Sequence, residues 1–234
     1  MRPLTGLFPP EMVRLREVPR PPVDLVRALL AIDDLTGTVS DVLDALGLDG
    51  AVPGSMLVPM VAGGRIVGPA LTVATELRGA LEVPGGRMGD LEFHNLAEPG
   101  DVLVIQGAPE VSSMGAVSAR IGVRQREAGA VVDGGVRDVG GLRRLGFPVW
   151  ARGPSPRTGK YRLRTVAING AVSIHGVTVH PGDLVVADDT GVCFVPRERA
   201  EEVWAGVRRR IAGEAARVAR IDAGVPVPEL ARGD

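Results

Sequence analysis

The chain has 234 residues, 45% of them hydrophobic and 24% charged, with a formal net charge of -1. That length suits one large domain or two small ones around a substantial core, and the near-zero charge gives no electrostatic reason to expect nucleic acid or a membrane surface as partner. An aromatic content of 3% argues against base-stacking platforms, and a single cysteine, Cys193, excludes an intramolecular disulfide and fits a reducing compartment.

Residues 1–22 contain Pro3, Pro9, Pro10, Pro19, Pro21 and Pro22, and proline resists helix interiors and removes amide donors. An extended arm is expected there, either packed on a neighbouring subunit or mobile, ahead of a domain over 23–222 and a tail over 223–234. The first residues lack the uninterrupted apolar centre of a signal peptide, and no apolar run approaches the ~18 residues of a membrane span. A cytoplasmic location is expected.

A helical period opens in "VDLVRALLAIDDL", with Leu25, Leu29 and Ile32 on one side. A second helix is predicted from "TVSDVLDALG", where Thr38 and Asp41 have capping-box spacing and Gly47 ends the run. "RIVGPALTVATEL" and "DVLVIQG" then read as strands, "MGAVSARIGVRQREAG" as helix, "AVVDG" as strand, "VGGLRRLG" as short helix and "PVWARG" as strand. Beyond residue 160, "LRTVAI", "AVSIHGVTVH", "DLVVADD" and "GVCFVP" are short β-rich segments, and a charged amphipathic helix begins at "RERAEEVW". Pro-Gly-Asp occurs twice, at 99–101 and 181–183, each time entering an apolar strand through a turn where glycine supplies a positive φ. The class is mixed α/β, and the lack of strict alternation disfavours a simple Rossmann sheet.

Two stretches could carry chemistry. In "VVDGGVRDVGG" a strand brings Asp133 and Gly134-Gly135 towards its carboxyl end, where α/β proteins place ligands. Arg137 offers a planar fork for a carboxylate and Asp138 a hard oxygen ligand for Mg²⁺. Equally, Asp138 could be a plain N-cap and Arg137 a surface partner of Asp133. In "QGAPEVSSMGAVSARIG" the amides opening a helix could hold an anion, or Ser112 or Ser113 could simply cap it. His94, His175 and His180 have no metal-ligand spacing to one another or to Cys193, and Asp188-Asp189 fits a strand-turn-strand.

The run "GAVVDGGVRDVGGLRRLGFPVWARGPSP", with "GRIVGPALTV" before it and "GVTVHPGDLVVADDTGVCFVP" after, resembles the RraA-like family over about residues 35–215. That family includes 4-hydroxy-4-methyl-2-oxoglutarate aldolases and protein regulators of ribonuclease E. The resemblance implies a swivelling β/β/α-type α/β fold, a single domain with peripheral helices and a C-terminal helix. It also implies homotrimers or dimers of trimers with sites between subunits. The family's aldolases are similar in carrying an Asp, twenty intervening residues and then Arg-Asp. Arg137 and Asp138 match the second part, but the first position is Ala116.

By the same resemblance, Asp138 would hold Mg²⁺, Mn²⁺ or another divalent metal. Arg137 would bind a pyruvoyl group and stabilise its enolate, the amides of Met114, Gly115, Ala116 and Val117 would grip a carboxylate, and Glu214 would enter from a neighbouring subunit. Glu110 is a nearby acid that could replace the one missing at 116. The expected activity is a divalent-metal-dependent lyase on a small 2-oxo acid, by aldol cleavage to pyruvate or oxaloacetate-type decarboxylation. A non-catalytic regulatory protein and an enzyme of changed reaction are the alternatives.

Overall fold

The computed structural model describes residues 3–78 and 89–230; the last four residues of the expected tail lie outside the described residues. The helices α1 (Val23–Leu30) and α2 (Leu35–Ala45) come first, followed by the short strands β1 (Ala51–Pro53) and β2 (Val58–Pro59) and the long strand β3 (Ile66–Leu77). Next come α3 (Asp90–Leu96), β4 (Val102–Gln106), β5 (Ser112–Met114), α4 (Ala116–Gln125), β6 (Gly129–Val136), α5 (Val139–Leu145) and β7 (Val149–Pro154). The chain continues through β8 (Leu163–Ile168), β9 (Val172–Ile174), β10 (Val177–Val179), β11 (Leu184–Asp188) and β12 (Gly191–Val195), then α6 (Ala200–Asp222) and α7 (Val227–Leu230).

The main sheet runs β1-β12-β11-β3-β4-β6-β7-β2. β3 joins its two lobes: Ile66 to Pro69 pair antiparallel with β11, and Ala70 to Ala74 pair parallel with β4. β4, β6 and β7 continue the parallel run with α4 and α5 as crossovers, so a piece of doubly wound sheet sits inside a mixed architecture. Gly68 is required at the junction, because a Cβ there would lie 2.1 Å from the carbonyl oxygen of Gly100.

Side chains alternate along each strand with period two, and both faces are buried. In β4, Leu103 and Ile105 pack under α3, α4 and α5 with Phe93, Leu142 and Phe147. Val102 and Val104 face the other way, into a middle core shared with Trp150, Val185 and Phe194. In β11 and β12, Val186, Cys193 and Val195 meet Leu25, Leu43 and Val203 of the other helices. The layers are therefore helices, sheet lobe, sheet lobe, helices. Cys193 is core, and burial pushes its thiol up to about 12.

Two local expectations change. α2 begins at Leu35, so Thr38 is inside the helix, donating its hydroxyl proton back to the Asp34 carbonyl instead of capping. Thr36 at that helix start is held instead by Asp188, which accepts from its amide at 2.9 Å and its hydroxyl at 2.6 Å. The arm lies on its own chain: Arg14 donates to the Ile168 carbonyl, Phe8 is buried, and Arg20 reaches Pro99 and Asp101.

The two Pro-Gly-Asp turns share one construction. Gly100 and Gly182 have φ of +88° and +86°, and Asp101 and Asp183 accept from the amides of Glu98 at 2.8 Å and His180 at 2.7 Å. Burial raises both carboxyls, Asp101 to about 6, against the opposing pull of the Glu98 amide and Arg20. A carboxyl whose folded pKa is raised favours folding below its unfolded pKa, and that contribution is lost as pH rises through the folded value. Stability should thus fall between pH 4 and 7 by on the order of 3 kcal/mol from Asp101. Asp101→Asn keeps an acceptor for Glu98, and urea melts against pH should show a flatter profile.

Candidate functional site

A cleft of about 590 Å³ opens where β5, the start of α4 and the end of β6 meet, lined also by Leu7 and Phe8 of the arm and by the start of α3. β6 continues past Asp133 to Val136, which delivers Arg137 and Asp138 to the cleft at its carboxyl end. Asp133 is therefore inside the strand, where it takes Arg152 Nε at 2.5 Å and the His175 amide at 3.0 Å. This removes the alternative in which Arg137 pairs with Asp133 on the surface. Gly134 and Gly135 do not clear room for a ligand either; a Cβ on them would meet Ala108 backbone at 2.9 Å and Ser155 Cβ at 2.8 Å.

Asp138 sits in the left-handed region at φ 56°, which aspartate tolerates better than most residues. Its carbonyl accepts from Gly141 and Leu142 and so starts α5. Its carboxylate is turned to the neighbouring helix, where Oδ2 accepts from the Ala116 amide at 3.3 Å and lies 3.7 Å from Arg137 Nε. Asp138 thus caps two helices by two different groups. Both side chains remain about half exposed, at 46% for Arg137 and 49% for Asp138, so the pair is open to a ligand.

Ser112 to Met114 form β5 against β6, and Gly115 is the residue that turns into α4. Neither serine caps the helix: Ser112 Oγ donates to the Met114 carbonyl, and Ser113 is buried. Gly115 is needed for close approach, since a Cβ would lie 2.7 Å from Asp138 Oδ2 and 2.9 Å from Arg137 Cγ. The amides of Val117 and Ser118 in the first turn of α4 have no carbonyl one turn back within the helix, and both residues line the cleft together with Arg137.

Met114, Gly115, Val117, Arg137 and Asp138 all line the cleft, and Ala116 reaches it through its amide on Asp138. Glu214 does not; it is exposed on the outer half of α6, and Glu110 is exposed and paired with Arg157 at 3.1 Å. Sequence reasoning missed the start of α3, with Asp90 and Glu92, and Ser118, Thr158 and Lys160, all of which line the cleft. Lys160 is the chain's sole lysine, and that rarity was the available signal.

No group of three or more His, Cys, Asp or Glu side chains that could hold a metal occurs among the described residues. The cleft's donor set does suit a mostly hydrated hard cation, which binds through one or two carboxylates and completes its shell with water and substrate oxygens. Asp90, Glu92 and Asp138 are the carboxylates that line it, and Asp138 is the one beside Arg137.

Residues 36–194 match the RraA-like family, described as Aldolase/RraA. The chain is 32% identical over 184 residues to a Halalkalibacterium halodurans protein named "Putative 4-hydroxy-4-methyl-2-oxoglutarate aldolase", covering 78% of this chain and 82% of that one. It is 34% identical over 173 residues to Protein DlpA of Legionella pneumophila, covering 70% of this chain but only 26% of DlpA. Among solved structures, Streptomyces coelicolor RraAS2, titled an unusual member of the RNase ES inhibitor RraA protein family, superposes with a TM-score of 0.74 at 31% identity, covering 84% of this chain and 96% of its own. An uncharacterized Pseudomonas syringae protein superposes with a TM-score of 0.81 at 26% identity, covering 93% and 97%. The match across the site and both sheet lobes places the chain in the RraA-like family.

Proposed function

We propose that the cleft takes a small 2-oxo diacid and breaks the carbon–carbon bond that leaves pyruvate, with a divalent cation, Mg²⁺ or Mn²⁺, held on Asp138. The observation that carries this reading is the convergence of Arg137, Asp138 and the first turn of α4 on one cleft. The amides of Val117 and Ser118 grip the carboxylate next to the keto group, aided by the positive end of the helix. Arg137 presents its fork to the keto oxygen and stabilises the negative charge that builds there. Lys160, which also lines the cleft, takes the distal carboxylate. The cation, when bound, supplies Lewis acidity for the same oxygen.

A homotrimer or a dimer of trimers completes the reading. Ile211, Glu214, Val218 and Ile221 recur on one face of α6 at spacings of three, four and three, and the three apolar members are 37%, 48% and 50% exposed. A second copy covering that stripe would carry Glu214 into an interface, and light scattering on Ile211→Glu should report smaller particles than the native chain. Asp138→Asn keeps a residue that tolerates the left-handed backbone and removes the charge. Calorimetric titration with Mn²⁺ should show binding by the native chain and none by the variant. Ala116 favours a second reading, a regulatory protein without turnover. It is supported if a stoichiometric enzyme partner binds equally well to Arg137→Ala.

A further inference from the structure

Three side chains outside the Arg137–Asp138 pair form a connected line into the same cleft. Glu127 Oε1 lies 2.6 Å from His94 Nδ1, and His94 Nε2 lies 2.8 Å from Ser118 Oγ. His94 and Glu127 are each 1% exposed, whereas Ser118 is half-buried and lines the cleft. A carboxylate acceptor at Nδ1 pairs with the Nδ1–H tautomer of His94, in which Nε2 is the acceptor facing the Ser118 hydroxyl.

The fold makes room for this line at some cost. Arg126 ends α4 in the left-handed region at φ 62°, folding Glu127 back beneath the helix, where its amide donates to the Gly122 carbonyl. Gly122 is hollowed out for it; a Cβ there would lie 2.7 Å from Glu127 Oε2 and 2.8 Å from the Phe147 ring. Glu127 Oε2 is left buried with no hydrogen-bond partner. Buried polar atoms are almost always satisfied, and a cluster serving only packing would be better replaced by apolar groups.

We propose that Ser118 is the proton-transfer residue of this cleft, with His94 as its buried base and Glu127 as the positioning residue that orients the ring. Ser118 lies two residues beyond Ala116, in the same first turn of α4, where this chain lacks an acid. In cleavage of a 4-hydroxy-2-oxo acid, Ser118 Oγ takes the 4-hydroxyl proton while its own proton passes to His94 Nε2. The C4–O⁻ pair forms a carbonyl, the C3–C4 bond breaks, and its electrons pass into the pyruvate enolate facing Arg137. The proton then returns from His94 through Ser118 to C3, giving pyruvate and restoring the neutral ring. No oxidant, reductant or further proton source is needed.

The inference rests on the lyase reading above, and one experiment separates the two. The full chain with Mg²⁺ is incubated with pyruvate in D₂O, and loss of the methyl proton signal is followed by NMR, beside calorimetric binding of oxalate as an enolate mimic. The native chain should exchange the methyl protons. Ser118→Ala should exchange them about 100-fold more slowly, with oxalate affinity unchanged, and Ser118→Thr should recover part of the rate. Glu127→Gln should lose the far-downfield imidazole proton as well as the exchange, and its thermal melt reports whether it is folded. Exchange by Ser118→Ala at the native rate overturns the relay and leaves the lyase reading standing. A native chain that neither exchanges pyruvate nor releases it from any 2-oxo diacid overturns both.

Discussion

Arg137→Ala is expected to lower kcat/KM for pyruvate release by about 10²- to 10³-fold, or ~3 to 4 kcal/mol, the loss typical of a donor aimed at developing oxyanion charge. The reason is positional. The Arg137 amide is fixed to the Met114 carbonyl at 3.1 Å, its side chain runs along Gly115, and its guanidinium is half exposed to the cleft. Removing it takes away one loose ion pair at 3.7 Å, and exposed pairs contribute about 1 kcal/mol at most. Steady-state kinetics and a thermal melt on the same preparation should therefore separate a large activity loss from a small stability change.

The largest stability effect is expected at Trp150→Ala, about 4 kcal/mol, within the range for truncating a buried aromatic. Trp150 on β7 is fully buried in the middle core between the sheet lobes. Its indole nitrogen donates to the Asp188 carbonyl at 2.8 Å, and the Asp188 carboxylate holds the start of α2 through Thr36. The truncation leaves a cavity and an unsatisfied carbonyl at the join of three layers. A fall of roughly 10 °C in melting temperature is expected for a domain of this size.

Much of this was legible in the sequence because apolar periodicity and turn chemistry are local. The strands β3, β4, β6, β7, β11 and β12 and the helices α1, α4, α5 and α6 all lie where their patterns predict. The Arg137–Asp138 corner and the 114–117 turn were also visible, since both sit at strand-to-helix transitions marked by glycine. What escaped depends on tertiary pairing. Asp133 was expected at the cleft, but Arg152 and the His175 amide hold it inside β6. The Ser112–Met114 stretch reads as a helix cap, yet it pairs with β6 as β5. His94, Ser118 and Glu127 share no motif, because the helices α3 and α4 bring them together. Their one local sign was a polar residue on the buried face of each helix or its cap.

The proposed reaction of this cleft is metal-assisted carbon–carbon cleavage of a 2-oxo acid. The most direct test incubates the purified full chain with Mg²⁺ or Mn²⁺ and a panel of 4-hydroxy-2-oxo diacids and oxaloacetate, with pyruvate read by lactate dehydrogenase. Pyruvate is expected above the metal-only background, abolished by chelator and by Asp138→Asn, and reduced at least about 100-fold in Arg137→Ala. Pyruvate release no faster than that background, or equal in the native chain and Arg137→Ala, would contradict it.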